Sequence, residues 1–138
     1  KPLFIIDGGH NPQCLSALAK NMEDYLKDRK IIALTGVLAD KDYATMYQPV
    51  MPLIEEFVCI TPPNPRKLEA KELADNAAKV PVFFEALDGK LEPVKVSFYT
   101  ADQAVKAGIF ALVLAFLPNL IACGVVAFDV YVYGDPVD

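Results

Sequence analysis

The sequence predicts an α/β protein built on a mostly parallel sheet with helices on both faces. Three observations carry this. Short β-prone apolar runs alternate with helix-like stretches, the pattern of strand–helix–strand units. The runs are continuous rather than alternating, as in strands buried on both sides. The chain has 138 residues, 54% hydrophobic and 22% charged, which is the size and balance of one globular domain with its own core. The whole of 1–138 is therefore read as a single domain.

The first run, residues 3–6, reads as a buried strand. A helix follows over 12–27, with Asn11 as N-cap and Pro12 in the first helical position. Leu15, Leu18, Met22, Tyr25 and Leu26 form its apolar stripe, and Lys27, Arg29 and Lys30 suit its C-terminal end. Ile31 to Thr35 is the second strand and ends in Gly36. Residues 42–56 read as helical but interrupted by Pro49 and Pro52. Phe57 to Thr61 is a third strand, stopped by Pro62-Pro63, and a helix fits 69–78. Residues 80–99 hold short β-prone pieces around an Asp88-Gly89 turn. A further helix is expected from Thr100 or Asp102 to about Leu117, then strands over Leu120–Phe128 and Val130–Tyr133.

Composition excludes several classes. A net charge of −5 argues against a nucleic-acid surface, which needs clustered Lys and Arg. Cys14, Cys59 and Cys123 are far apart and lie in apolar surroundings, which suits buried thiols in a reducing cytoplasm. No Cys/His spacing reads as a metal site. The stretch between Lys106 and Asp129 carries no charge and is long enough to cross a bilayer. Pro118-Asn119 divides it into halves too short to span, so no membrane segment is expected.

Chemistry-bearing residues stand just after the strands. Asp7-Gly8-Gly9-His10-Asn11-Pro12 follows the first, Gly36 to Asp42 the second, and Pro62 to Arg66 the third. In a parallel sheet such positions converge on one edge, where ligands of open α/β sheets bind. Asp7 either accepts from a hydroxyl pair such as a ribose or caps its own loop. Gly8 and Gly9 let the backbone approach a ligand closely. His10 is the only histidine and is suited to donate to a phosphate oxygen. Lys41, between Asp40 and Asp42, either meets a phosphate or pairs with an aspartate. Arg66 is suited to grip a carboxylate bidentately. No G-x-x-x-x-G-K-[ST] phosphate loop is present, so the chain lacks its own cradle for phosphoryl transfer.

Three segments, in order, resemble the folylpolyglutamate synthase and dihydrofolate synthase branch of the ATP-dependent Mur ligases. Asp7 to Pro12 resembles that family's D-G-A-H-N-P. Thr35-Gly36-Val37-Leu38-Ala39-Asp40-Lys41-Asp42-Tyr43, with Met46 beyond, is similar to its G-x-L-x-D-K-D-x-x-x-M. Thr61-Pro62-Pro63-Asn64-Pro65-Arg66, then Leu68, is similar to its T-x-P-x-N-P-R-x-L. The resemblance covers roughly residues 3–80. It implies a Rossmann-like C-terminal domain of a larger, cytoplasmic, ADP-forming amide ligase. Such an enzyme adds glutamate to folate or dihydropteroate, and its N-terminal and central domains hold most of the ATP and Mg²⁺. On that basis Asp7, Gly8, Gly9 and Asn11 are expected at the nucleotide. His10 and Lys41 are expected at the chemistry, and Asp40, Asn64 and Arg66 at the amino-acid substrate. No metal ligand is expected within this chain, and isolated it is expected to be inactive.

The C-terminal third departs from the pattern. Related enzymes end in a form such as V-x-A-F-G-S-L-Y; here Val125-Val126-Ala127-Phe128 is followed by Asp129-Val130-Tyr131. Two rival readings stand: a standalone α/β module, degenerate at this position, that binds a nucleotide or a protein; and, because ligases for peptidoglycan precursors share a D-x-x-H-x-P loop, the C-terminal domain of such a ligase.

Overall fold

A computed structural model of the chain describes residues 3–99, 103 and 128–134. The elements are β1 (Leu3–Asp7), α1 (Pro12–Leu26), β2 (Lys30–Gly36), a 3₁₀ turn (Met51–Leu53), β3 (Glu56–Ile60), α2 (Ala70–Ala77), β4 (Phe83–Glu85), β5 (Leu91–Pro93), β6 (Lys95–Tyr99) and β7 (Phe128–Gly134). Five strands form one sheet in the order β1-β7-β2-β3-β6, while β4 and β5 make a separate hairpin. β2, β3 and β6 pair in parallel, and β7 runs antiparallel to both of its neighbours, β1 and β2. The sheet is therefore mostly parallel, with one reversed strand inserted between the first two strands of the chain.

Each crossover, from β1 to β2 to β3 to β6, advances in the same direction across the sheet. Right-handed crossovers that all advance one way stay on one face. The core shows this face: Ile31 and Ala33 of β2, Phe57 and Cys59 of β3, Leu15, Leu18, Ala19, Met22 and Leu26 of α1, and Ala70, Leu73 and Ala74 of α2 pack into one buried cluster. Burying each of the large side chains of α1 stabilises the fold by about 1.5–3 kcal/mol. On the opposite face Leu34, Val58 and Ile60 are buried as well. Apart from residue 103, the helix expected from Thr100 or Asp102 to about Leu117 lies outside the described residues, as do residues 120–127 of the strand expected over Leu120–Phe128; Phe128 opens β7, which also takes in the strand expected over Val130–Tyr133.

α1 begins as its sequence dictates. Asn11 is extended at φ −149° and accepts the Cys14 N–H at 2.9 Å, and Pro12 occupies the first turn. Tyr25 departs from the expected stripe and is 79% exposed, while Ala19 joins the buried face instead. Residues 43–53 also depart from expectation. They form successive turns and one 3₁₀ turn rather than a helix. Bonds of three-residue span, such as Gln48 N–H to Thr45 and Leu53 N–H to Val50, alternate with four-residue ones. Pro49 and Pro52 have no N–H to give, so no continuous four-residue ladder can run through this segment. Its apolar residues Met46, Tyr47, Val50, Met51 and Ile54 are nonetheless buried. The Asp88-Gly89 turn forms as expected, with Gly89 at φ +80° closing the β4–β5 hairpin.

Candidate functional site

Because β1, β2 and β3 point the same way, the three segments after them emerge at one edge of the sheet. The first is a tight loop organised by its own aspartate. Asp7 Oδ1 accepts the Gly9 N–H at 2.6 Å, which leaves its second oxygen, Oδ2, available to a ligand. Gly9 is buried, and a Cβ there would lie 2.6 Å from Asp7 Oδ1 and 3.2 Å from Leu15 Cδ2. The glycine is needed for space, since its φ is not positive. His10 Nδ1 lies 3.1 Å from the Gly8 carbonyl. A ring nitrogen facing a carbonyl carries the proton, so the histidine offers Nε2 to a ligand. Neutral, Nε2 accepts a hydrogen bond; protonated, it donates one.

The second and third loops are joined to each other. Ala39 N–H donates to the Arg66 carbonyl at 2.9 Å and Leu68 N–H to the Val37 carbonyl at 3.0 Å, with Leu38 and Lys67 as antiparallel bridge partners. At the base of these loops a Cβ on Gly36 would stand 3.2 Å from Ile60 Cγ1, a tight contact, and 3.5 Å from Pro62 Cβ, an ordinary one. The pairing brings Arg66 Nη1 to 3.4 Å from Asp40 Oδ2, and Lys41 Nζ lies 3.9 Å from the same oxygen. These side chains are substantially exposed, so the ion pairs themselves add only about 0–1 kcal/mol each. The cluster has two cations around one carboxylate and keeps a net positive charge for an incoming anion. Asp42 is engaged by the Thr45 hydroxyl, and Tyr43 donates to Glu72 Oε1 of α2 at 3.1 Å. That bond to a carboxylate raises the Tyr43 pKa.

Asn64 turns its side chain onto the backbone, where Oδ1 accepts the Arg66 N–H at 2.9 Å. Its amide nitrogen remains for a ligand. Asn11 is placed alike, with Oδ1 spent on the α1 cap. The nine residues singled out in the sequence thus divide into two groups. Asp40, Lys41, Asn64 and Arg66 are brought together on two laced loops. Asp7, Gly8, Gly9, His10 and Asn11 form a separate loop, two strand spacings from β2, or about 10 Å.

Between the two groups lies the start of β7. Asp129 is in register with Asp7 on one side and Thr35 on the other, and Phe128 is in register with Gly36. The Phe128-Asp129 departure therefore sits in the middle of the motif edge. Sequence periodicity gave no sign of it, because strand order is a long-range property. Thr61, the end of the third strand and the first residue of the third motif, has contacts that the sequence did not foretell: it is 7% exposed, accepts the Ala70 N–H at 3.0 Å and donates to Glu69 Oε2 at 3.2 Å. Lys67 bonds the same Glu69 and, with Thr61, holds its pKa low.

A cavity of about 780 Å³ opens elsewhere, between the C-terminal end of α1, the start of β2 and the β4–β5 hairpin. None of the motif residues lines it. Among the described residues no group of three His, Cys, Asp or Glu side chains is placed to hold a metal ion, and no helix is long and apolar enough to cross a membrane.

The sheet is of the Rossmann-like α/β class, with the three motif segments at one edge, as expected of a Mur ligase C-terminal domain. The chain belongs to that family: the model of the Mur ligase glutamate ligase domain matches residues 1–109. Among its relatives is the dihydrofolate synthase/folylpolyglutamate synthase of Buchnera aphidicola subsp. Baizongia pistaciae. The two are 31% identical over 72 residues, which is 52% of this chain and 17% of that protein. The folylpolyglutamate synthase of Lacticaseibacillus casei is 44% identical over 45 residues, 33% of this chain and 10% of that one. The chain thus spans under a fifth of the curated relatives it matches. Escherichia coli FolC, solved in complex with DHPP and ADP, superimposes on 78% of this chain and 27% of its own at a TM-score of 0.48 and 19% identity.

Proposed function

We propose that this chain is the C-terminal domain of a cytoplasmic ATP-dependent, ADP-forming ligase that adds glutamate to folate or dihydropteroate through an acyl phosphate. The observation that carries the reading is the lacing of the second and third loops, which sets Arg66 and Lys41 around Asp40 on the same sheet edge as the His10 loop. Sequence relatives named as folylpolyglutamate synthases support it.

Arg66 binds a carboxylate of the incoming glutamate through the guanidinium edge that Asp40 leaves free. Lys41 adds positive charge at the same place. His10 meets a phosphate oxygen through Nε2 when protonated, and Asp7 Oδ2 accepts from the nucleotide ribose. Gly8 and the Asn11 amide line this side. Asn64 holds Arg66 in place and keeps one amide for the substrate. ATP supplies the phosphoryl group that activates the acid. Among the described residues no group of three His, Cys, Asp or Glu side chains is placed to hold Mg²⁺. The metal and most of the phosphate contacts belong to a partner domain on the N-terminal side. Closure of the two domains orients the amine and excludes water from the acyl phosphate.

The test uses the intact polypeptide that contains this chain. ADP release should require both glutamate and a folate-type acid, with the glutamyl product seen by mass spectrometry. His10→Ala should lower turnover much more than folding stability. No glutamate-dependent ADP release with either folate or dihydropteroate would refute the reading.

A further inference from the structure

The loop between β3 and α2 carries Arg66, and a flexible loop would spread that side chain over many positions. Its tip and side are fixed by backbone partners: Asn64 Oδ1 on the Arg66 N–H, and the Ala39 N–H on the Arg66 carbonyl. Its base is fixed differently. α2 begins without a local cap, because Glu69 at the N-cap position makes no side-chain cap bond. The cap comes instead from nine residues upstream, where the Thr61 hydroxyl accepts the Ala70 N–H and donates to Glu69. One buried hydroxyl therefore ties the first residue of the loop to its last, and Lys67 bonds the same Glu69 from inside it.

We propose that Thr61 is a positioning residue for Arg66, a role that rests on the proposed glutamate contact of that arginine. A cap drawn from the neighbouring residue would start the helix equally well without fixing the span of the loop. Drawn from Thr61, it sets the distance between the end of β3 and the start of α2, and with it the place of the guanidinium against Asp40. Valine has the shape of threonine and no hydroxyl. It leaves the Ala70 N–H without its partner, in a residue only 3% exposed. Serine keeps both bonds.

The experiment compares wild type, Thr61→Val, Thr61→Ser, Arg66→Ala and the Thr61→Val/Arg66→Ala double variant in the intact polypeptide. It reads the glutamate KM, the ATP KM and kcat, and hydrogen exchange of the peptide covering 62–70. Thr61→Val should speed exchange in that peptide and raise the glutamate KM about tenfold, the equivalent of one lost hydrogen bond. The ATP KM should stay constant and Thr61→Ser should behave as wild type. In the Arg66→Ala background, Thr61→Val should raise the glutamate KM no further, which general destabilisation would not achieve. Unchanged exchange over 62–70 in Thr61→Val, or an equal KM rise in both backgrounds, would overturn the proposal. Faster exchange with an unchanged glutamate KM in both Thr61→Val and Arg66→Ala would leave Thr61 as the loop clasp and instead remove Arg66 from glutamate binding.

Discussion

Replacing Gly9 with alanine drives a methyl group into space already held by a carboxylate oxygen. The added Cβ would sit 2.6 Å from Asp7 Oδ1, where an ordinary contact needs 3.4 Å or more. The oxygen must retreat by roughly 0.8 Å, and the 2.6 Å bond it accepts from the Gly9 N–H is stretched beyond useful length. A hydrogen bond to a charged group contributes about 1.5–3 kcal/mol, so a loss near 2 kcal/mol is expected. With a urea slope of about 2 kcal/mol per molar, the midpoint of unfolding falls by roughly 1 M. The control is Asp7→Ala. In that background the methyl meets only Leu15 Cδ2 at 3.2 Å and Cys14 Cβ at 3.3 Å, and Gly9→Ala should cost less than about 1 kcal/mol. The two substitutions are therefore strongly coupled. Equal midpoint shifts in the two backgrounds would show that Asp7 does not occupy the space Gly9 leaves open, and the account of this loop would fail.

Cys59 is buried and its thiol pKa is pushed up to about 12, whereas Cys14 is exposed. Iodoacetamide at pH 8 should label Cys14 in the native protein and reach Cys59 only in denaturant, as read by peptide mass spectrometry; native labelling of Cys59 at the Cys14 rate would contradict its burial. The Glu69 pKa is lowered, chiefly by the Lys67 hydrogen bond, from a reference of 4.5. A lowered carboxylate pKa stabilises the fold above the unfolded value, and that contribution is lost as pH falls through the folded one. The urea midpoints of wild type and Lys67→Gln should therefore differ at neutral pH and converge below about 4.5, and a constant gap would exclude this linkage. Leu15 is fully buried in the core, so Leu15→Ala should lower stability by about 2–5 kcal/mol by denaturant titration; a change under 1 kcal/mol would contradict its packing.

The parts of the fold that were legible in the sequence depend on local rules. Asn11-Pro12 announces α1 because a cap and a fixed φ are properties of adjacent residues, and both are used as expected. The continuous apolar runs mark β1, β2 and β3 because both faces of each strand need covering. Tyr25 was not legible as an exposed residue: it falls on the helical period of Leu18 and Met22, but Leu26, one position on, is the residue that continues the buried stripe. Residues 43–53 are as apolar as a buried helix, and only the missing N–H groups of Pro49 and Pro52 decide between helix and turns. The motifs follow β1, β2 and β3 and so share one edge of the sheet, as a parallel arrangement requires. They could not show that the oxygens of Asp7, Asn11 and Asn64 each bond a nearby N–H, because an acceptor that caps a loop and one that awaits a ligand look the same in a sequence.

The reversed strand has a consequence for the order in which the molecule can be assembled. Among the described residues β1 joins the sheet only through β7, so it gains that strand partner only after residues 128–134 have been made. The parallel trio β2, β3 and β6 can form earlier, with the Asp40–Arg66 lacing already in place. The strand before the His10 loop is held in register with β2 only by β7, which pairs with both. Pairing that joins residues 3–7 to residues more than a hundred positions later is slow to close, and it makes β7 the strand that completes the five-stranded sheet.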